Sequence, residues 1–279
     1  MTDHPAARRR LLQKHYSLPS EHGAWIWWIG PLLLGAAAAR RLPIDFGALF
    51  IAALAVFLLR QPAAIAVKAL SGRRARADLP PATVWASAYA AIAALAIALL
   101  LARGHHQLVW LAIPGAAVFG WHLWLISRRQ DRGQMGIELV GAGVLALAAP
   151  AAYWICGGTS VPLPWLLWVL TWLQSAASIV YVYQRLAQRR LADWPATAER
   201  WRMGGRTFAY HGFNVALSTG LALARRVPAL VPVAFMLMLF DALEGTAHPP
   251  VGARPARIGV RQLIASITFV AVMAIAYLV

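Results

Sequence analysis

The chain has 279 residues, 60% of them hydrophobic and only 13% charged, with one cysteine and a formal net charge of +16. Repeated apolar stretches of about 20 residues, the length that crosses a bilayer core, exclude a soluble globular protein and imply an all-α, polytopic membrane helix bundle. The lone Cys156 excludes an intrachain disulfide and any multi-cysteine metal site. Taken in order, the first apolar run follows Glu21-His22 and continues into a full span with no small-residue cleavage pattern, so a cleaved signal peptide is not expected. Roughly nine spans are predicted, at 24–39, 46–66, 82–102, 107–126, 137–155, 162–184, 208–224, 227–243 and 260–278. Only the "RRVP" turn, Arg225 to Pro228, separates the seventh from the eighth, and fusing them is the main alternative. One transmembrane domain thus covers 1–279, with no soluble domain left over.

Charge bias gives the orientation. Of the 26 Lys and Arg, Arg40, Arg41, Arg103, Arg225 and Arg226 fall in alternate loops, and Arg60 and Arg261 fall within spans. The remaining 19 lie at the N-terminus and in the other set of loops. The positive-inside rule then places the N-terminus in the cytoplasm and the C-terminus outside a bacterial inner membrane. Because the basic residues sit in short loops, anionic lipid and topology explain them better than nucleic acid, which is not an expected partner.

In that orientation Glu21, His22, Arg60, His122, Glu138, Tyr181, Arg185, His211, Asn214, Asp241 and Arg261 all fall toward the cytoplasmic side. Gln174, Ser178, Tyr181 and Arg185 follow i, i+4, i+7, i+11, and His211, Asn214 and Ser218 follow i, i+3, i+7, so each set lies on one helix face. A charge in hydrocarbon costs at least about 2.5 kcal/mol on insertion scales, which turns these faces inward and implies a polar chamber open to the cytoplasm. Taken singly, Ser178, Tyr181 and Ser218 read as interhelical packing groups. The double arginines read as topology anchors, and the tryptophans as an interfacial belt or apolar packing. Arg60, about two turns inside its span, contacts either a ligand or an acidic partner such as Glu138.

"PSEHGAW" (Pro19 to Trp25), followed by Pro31-x-x-x-Gly35, a charged break in the second span and a late "RIGVRQ", resembles the YwiC-like family of bacterial integral membrane proteins over most of the chain. A more distant similarity is to the UbiA superfamily of intramembrane prenyltransferases, nearest the quinone-precursor branch. It rests on the nine-helix count, "PLLLGAAAA", the basic loop after the second span, "ISRR", and "ALAAPAAYWICGG" in the fifth span. That resemblance implies two helical halves, about 20–155 and 156–279, around a central cavity. A short echo between "RRARADLPPATVW" (Arg73 to Trp85) and "RRLADWPATAERW" (Arg189 to Trp201) agrees with two related halves. UbiA enzymes carry Asp-rich motifs that hold Mg²⁺ on an isoprenoid diphosphate. Here the corresponding stretches hold no Asp cluster, Asp78 and Asp193 are solitary, and Arg60, Lys68 and Arg185 stand in the same region. Metal-dependent prenyl transfer is therefore not expected, no metal is assigned, and any other catalysis is open. Basic groups bind anions directly through charge-assisted hydrogen bonds.

Glu21-His22 opens the first span. Glu suits a helix N-terminus and Ser20 is an adequate cap, but capping does not require the adjacent His, so the pair is also read as a member of the chamber. The expected ligand-binding set is Glu21, His22, Arg60, Lys68, His122, Glu138, Tyr181, Arg185, His211, Asn214 and Arg261. The preferred function is binding of an amphipathic ligand (quinone, prenyl lipid or anionic lipid), with membrane lipid as the general partner and no cofactor. The alternatives are a transporter or flippase, and an accessory or assembly subunit of a respiratory complex with haem held by two of His22, His122 and His211.

Overall fold

The computed structural model describes residues 13–18, 25–130 and 134–279. Among these, ten helices of eight residues or more occur: α1 (Ile26–Ala39), α2 (Asp45–Leu70), α3 (Leu79–Ala102), α4 (Leu108–Ser127), α5 (Met135–Ala146), α6 (Ala148–Ile155), α7 (Leu163–Gln188), α8 (Thr197–Leu223), α9 (Val231–Ala247) and α10 (Pro255–Leu278). The all-helical expectation holds. Six segments are long and apolar enough to cross a membrane: α2, α3 with the turn before it, α4, α5 with α6, α7, and α10. The other three expected spans are also helical. However, α1 has 14 residues and α9 has 17, while α8 carries a polar N-terminal third. α8 and α9 are separate helices. Prolines open several helices, at Pro80, Pro164, Pro232 and Pro255, where the missing N–H has no helical acceptor to lose. Pro150 coincides with the break between α5 and α6, because it cannot donate to Ala146.

The chain forms two compact units, Met1–His22 with Pro43–Ile137, and Gly23–Leu42 with Glu138–Val279. In the first, α2 packs along α3, and the turn Lys14–Ser17 docks on them through Tyr16. The Tyr16 hydroxyl donates to Asp78 Oδ1 at 2.6 Å, and Arg74 Nε reaches Asp78 Oδ2 at 2.8 Å. At the other end of these helices, Asp45 takes Arg103 Nη1 at 2.5 Å and His105 Nε2 at 3.0 Å.

The second unit is built around α7, whose apolar window is 61% buried, against 17% for α4. Its core gathers Leu34, Leu167, Leu170, Phe235, Phe269 and Met273, with Phe235 and Phe269 edge-to-face at 5.0 Å. Small residues let α1 and α6 approach closely. A Cβ at Gly35 would stand 2.8 Å from Ala152 Cβ and 2.9 Å from Tyr153 N, and would press on the Ala149 carbonyl. Trp168 and Trp172 stack at 5.4 Å, and their indole N–H groups donate to Gly143 O and Leu139 O, each at 2.8 Å. This places Trp168 and Trp172 in helix packing, one of the two expected roles.

Candidate functional site

Both polar faces read from the spacing are buried. On α7, Gln174, Ser178, Tyr181 and Arg185 are 5%, 1%, 2% and 6% exposed, and on α8 His211, Asn214 and Ser218 are equally enclosed. The two helices meet along these faces. Asn214 Nδ2 donates to Leu173 O at 3.0 Å, and the rings of Tyr181 and His211 lie edge-on at 6.4 Å. One turn further, the Thr207 hydroxyl donates to Gln184 Oε1 at 2.5 Å. Gln184 Nε2 donates to Thr246 Oγ1 at 2.8 Å, so this amide joins α7, α8 and α9.

Arginines gather at the C-terminal end of α9, where the last carbonyls lack helical donors. Arg185 donates to Gly245 O and, at 2.9 Å, to His248 O. Arg200 Nη1 donates to Ala247 O at 2.7 Å, and Arg189 Nε to Ala253 O at 3.0 Å. Positive charge there also complements the helix dipole. Arg261 on α10 reaches Asp241 Oδ1 at 2.6 Å and pairs with Glu244, while the Tyr181 hydroxyl donates to Asp241 O at 3.1 Å. The close approach explains Gly245, since a Cβ there would meet the Tyr181 hydroxyl and stand 2.9 Å from Tyr181 Cζ. Arg185 and Arg261 are thus engaged by the protein's own oxygens, and Asp241 and Glu244 balance their charge.

Other polar atoms on the same faces have no partner. Both amide atoms of Gln174, the Ser178 hydroxyl and both ring nitrogens of His211 make no hydrogen bond. Gln174 and Ser178 line a cavity of about 30 Å³, together with Ser175, Ser266, Trp27 and Pro31. Pro31 lacks the N–H that would bond Trp27 O, which leaves that carbonyl free of its helical donor. Ser175 and Thr171 satisfy themselves on their own helix, donating to Thr171 O at 2.9 Å and Leu167 O at 2.8 Å. The cavity therefore offers amide and hydroxyl groups and no charge, in a volume fit for water or a single polar group.

Of the expected set, Tyr181, Arg185, His211, Asn214 and Arg261 come together in the second unit. Glu138 lies in that unit too, where it is exposed and accepts from the Tyr183 hydroxyl at 2.9 Å. Arg60, Lys68 and His122 are half-buried in the first unit, with the Arg60 guanidinium 5.8 Å from the Phe57 ring centre. Glu21 and His22 lie outside the described residues. Gln184, Gln188, Thr207 and Thr246 are further buried polar residues outside the expected set; Gln184 hydrogen-bonds to Thr207 and Thr246, whereas both amide atoms of Gln188 make no hydrogen bond. The first three continue the two periodicities, at Tyr181+3, Gln184+4 and His211−4, which is the signal that reaches them. Among the described residues, no group of three or more His, Cys, Asp or Glu is arranged to hold a metal ion.

Several helices long and apolar enough to cross a membrane define a multi-pass helical membrane protein. Residues 18–153 match the family model described as YwiC-like protein, so the resemblance carried by "PSEHGAW" is borne out over that segment. The match covers α1 to α5 and nearly all of α6, and the buried network on α7 to α10 lies beyond it. No curated protein and no solved structure matches the chain.

Proposed function

We propose that this YwiC-like membrane protein binds an amphipathic ligand of the quinone or prenyl-lipid class, with an uncharged, carbonyl- or hydroxyl-bearing head group. The observation that carries this reading is the unsatisfied Gln174 amide and Ser178 hydroxyl at a cavity without charged lining. An unpaired buried polar group costs about 1–3 kcal/mol, a cost that a ligand oxygen offsets when it arrives. Ile26, Phe269 and Val270 on the same wall supply apolar contact for a ring or tail. A volume of about 30 Å³ takes only the polar end of such a head group, leaving the rest against those side chains. Because that cavity has no charged lining, and Arg185 and Arg261 in the same unit are already engaged, an uncharged head group fits this cavity better than an anionic one. We further propose that the protein lies in the inner membrane with its N-terminus cytoplasmic, as the distribution of Lys and Arg supports.

The test is a titration of purified protein with a short-tailed quinone, read by quenching of tryptophan fluorescence, since Trp27 borders the cavity. Saturable quenching that weakens about tenfold in Gln174→Leu and Ser178→Ala is expected. Quenching that is non-saturable, or identical in both variants, contradicts the reading. A haem absorption band in the purified protein, or substrate flux across proteoliposomes, would favour the respiratory-subunit or transporter alternative instead.

A further inference from the structure

We propose that the end of the second unit where α7 begins holds a second site, for an anionic oxygen group such as a phosphate, formed by Arg40, Arg225 and Arg226 with Tyr277 beside them. An open cleft of about 490 Å³ is lined by these four residues, with Leu163 and Val227 among its apolar walls. It lies at the opposite end of α7 from Arg185.

Two helix ends deliver the guanidinium groups. α8 closes with Arg226 N donating to Leu221 O at 2.8 Å and Arg225 N to Ala222 O at 2.9 Å, the paired bonds of a Schellman motif. Arg225 takes the left-handed position at φ 55°, and Arg40 takes the same position after α1 at φ 53°. Glycine is the unstrained residue in that conformation, so arginine at both ends keeps a charge where the backbone favours none. Capping of carbonyls explains Arg40 in part, because its Nε donates to Tyr277 O at 2.8 Å. It does not explain Arg225 or Arg226, whose side chains are exposed and make no hydrogen bond or ion pair among the described residues.

The charge of this unit is segregated. Its acidic residues all sit toward the far end of α7: Glu138 accepts from Tyr183, Asp193 and Glu199 lie between α7 and the first turn of α8, and Asp241 and Glu244 take Arg261. No carboxylate lines the cleft. Tyr277, 6% exposed, also lines the cleft, and its buried hydroxyl makes no hydrogen bond. The Arg225 and Arg226 guanidinium groups, beside Arg40 and with no carboxylate in the lining, form a donor-rich surface, which suits phosphate or carboxylate oxygens.

The anionic group belongs either to a lipid head group or to a soluble anion, and the experiment separates the two. Protein in phosphatidylcholine nanodiscs is given phosphatidylglycerol, with retention read by native mass spectrometry, and in a second arm inorganic phosphate, read by calorimetry. Arg225→Gly relieves the left-handed position while removing charge, so its unfolding midpoint should equal or exceed that of the parent protein. Arg226→Gln and Tyr277→Phe complete the set. Each arginine change should weaken anion binding about fivefold, and the two together about 25-fold. Binding of phosphatidylglycerol without phosphate identifies lipid as the source, whereas phosphate binding that competes with lipid identifies a soluble anion. Either result supports the site. Failure of both probes to bind, or binding unchanged in the folded Arg225→Gly/Arg226→Gln protein, overturns it.

Discussion

Replacing Gln184 with Leu tests whether the buried network holds α7, α8 and α9 together. Gln184 is 8% exposed, accepts from Thr207 at 2.5 Å and donates to Thr246 at 2.8 Å. Two interhelical bonds are lost, each contributing about 0.6 kcal/mol by membrane-protein double-mutant cycles. Thr246 keeps its bond to Ala242 O at 2.8 Å, but Thr207, 1% exposed, loses its partner. Orphaning a buried hydroxyl costs about 1–3 kcal/mol, at the low end if it turns to a carbonyl of its own helix. The total expected destabilisation is about 2–4 kcal/mol. Adding Thr207→Val removes the orphan, so the double variant should recover about 1 kcal/mol relative to Gln184→Leu alone. Reversible unfolding in mixed micelles titrated with sodium dodecyl sulfate measures both differences. A Gln184→Leu protein within about 0.5 kcal/mol of the parent, or a double variant destabilised by the sum of the single changes, would refute the reasoning.

Close helix packing predicts that Gly35→Ala destabilises by about 1–3 kcal/mol, because Ala152 Cβ and Tyr153 N stand 2.8 and 2.9 Å from the added carbon. Gly47→Ala, where nothing lies within 4 Å, should be neutral or stabilising by up to about 1 kcal/mol in the same unfolding assay. Gly245→Ala should destabilise through Tyr181, and Tyr181→Phe in that background should restore part of the loss; equal stability of the Gly245→Ala and parent proteins would contradict the contact. A reporter fused to the C-terminus should be active only outside the cytoplasm, and activity restricted to the cytoplasm would reverse the proposed orientation.

The α7 and α8 faces were legible because helical spacing survives burial: Gln174, Ser178, Tyr181 and Arg185 share one face whatever surrounds them. The ends of these helices were less legible. Hydropathy closes the sixth span near 184 and opens the seventh near 208, whereas α7 runs to Gln188 and α8 starts at Thr197. Gln184, Gln188 and Thr207 look like the edge of a membrane but are polar groups enclosed by protein. The pairing of Arg261 with Asp241 and Glu244 depends on tertiary placement of α9 against α10, which spacing along one helix does not reveal. The left-handed ends at Arg40 and Arg225 were hidden for a different reason, since no glycine marks them. The family match stops at residue 153, so it carries no information on the α7 to α10 network.

The most direct measurement of the central claim is mass spectrometry of the lipid extract from protein purified in mild detergent, run in parallel on the parent and on Gln174→Leu/Ser178→Ala. An isoprenoid quinone or prenyl lipid should be enriched near one molecule per chain in the parent and lost from a variant that unfolds normally. An extract containing only bulk phospholipid, or an isoprenoid retained equally by both proteins, would contradict it.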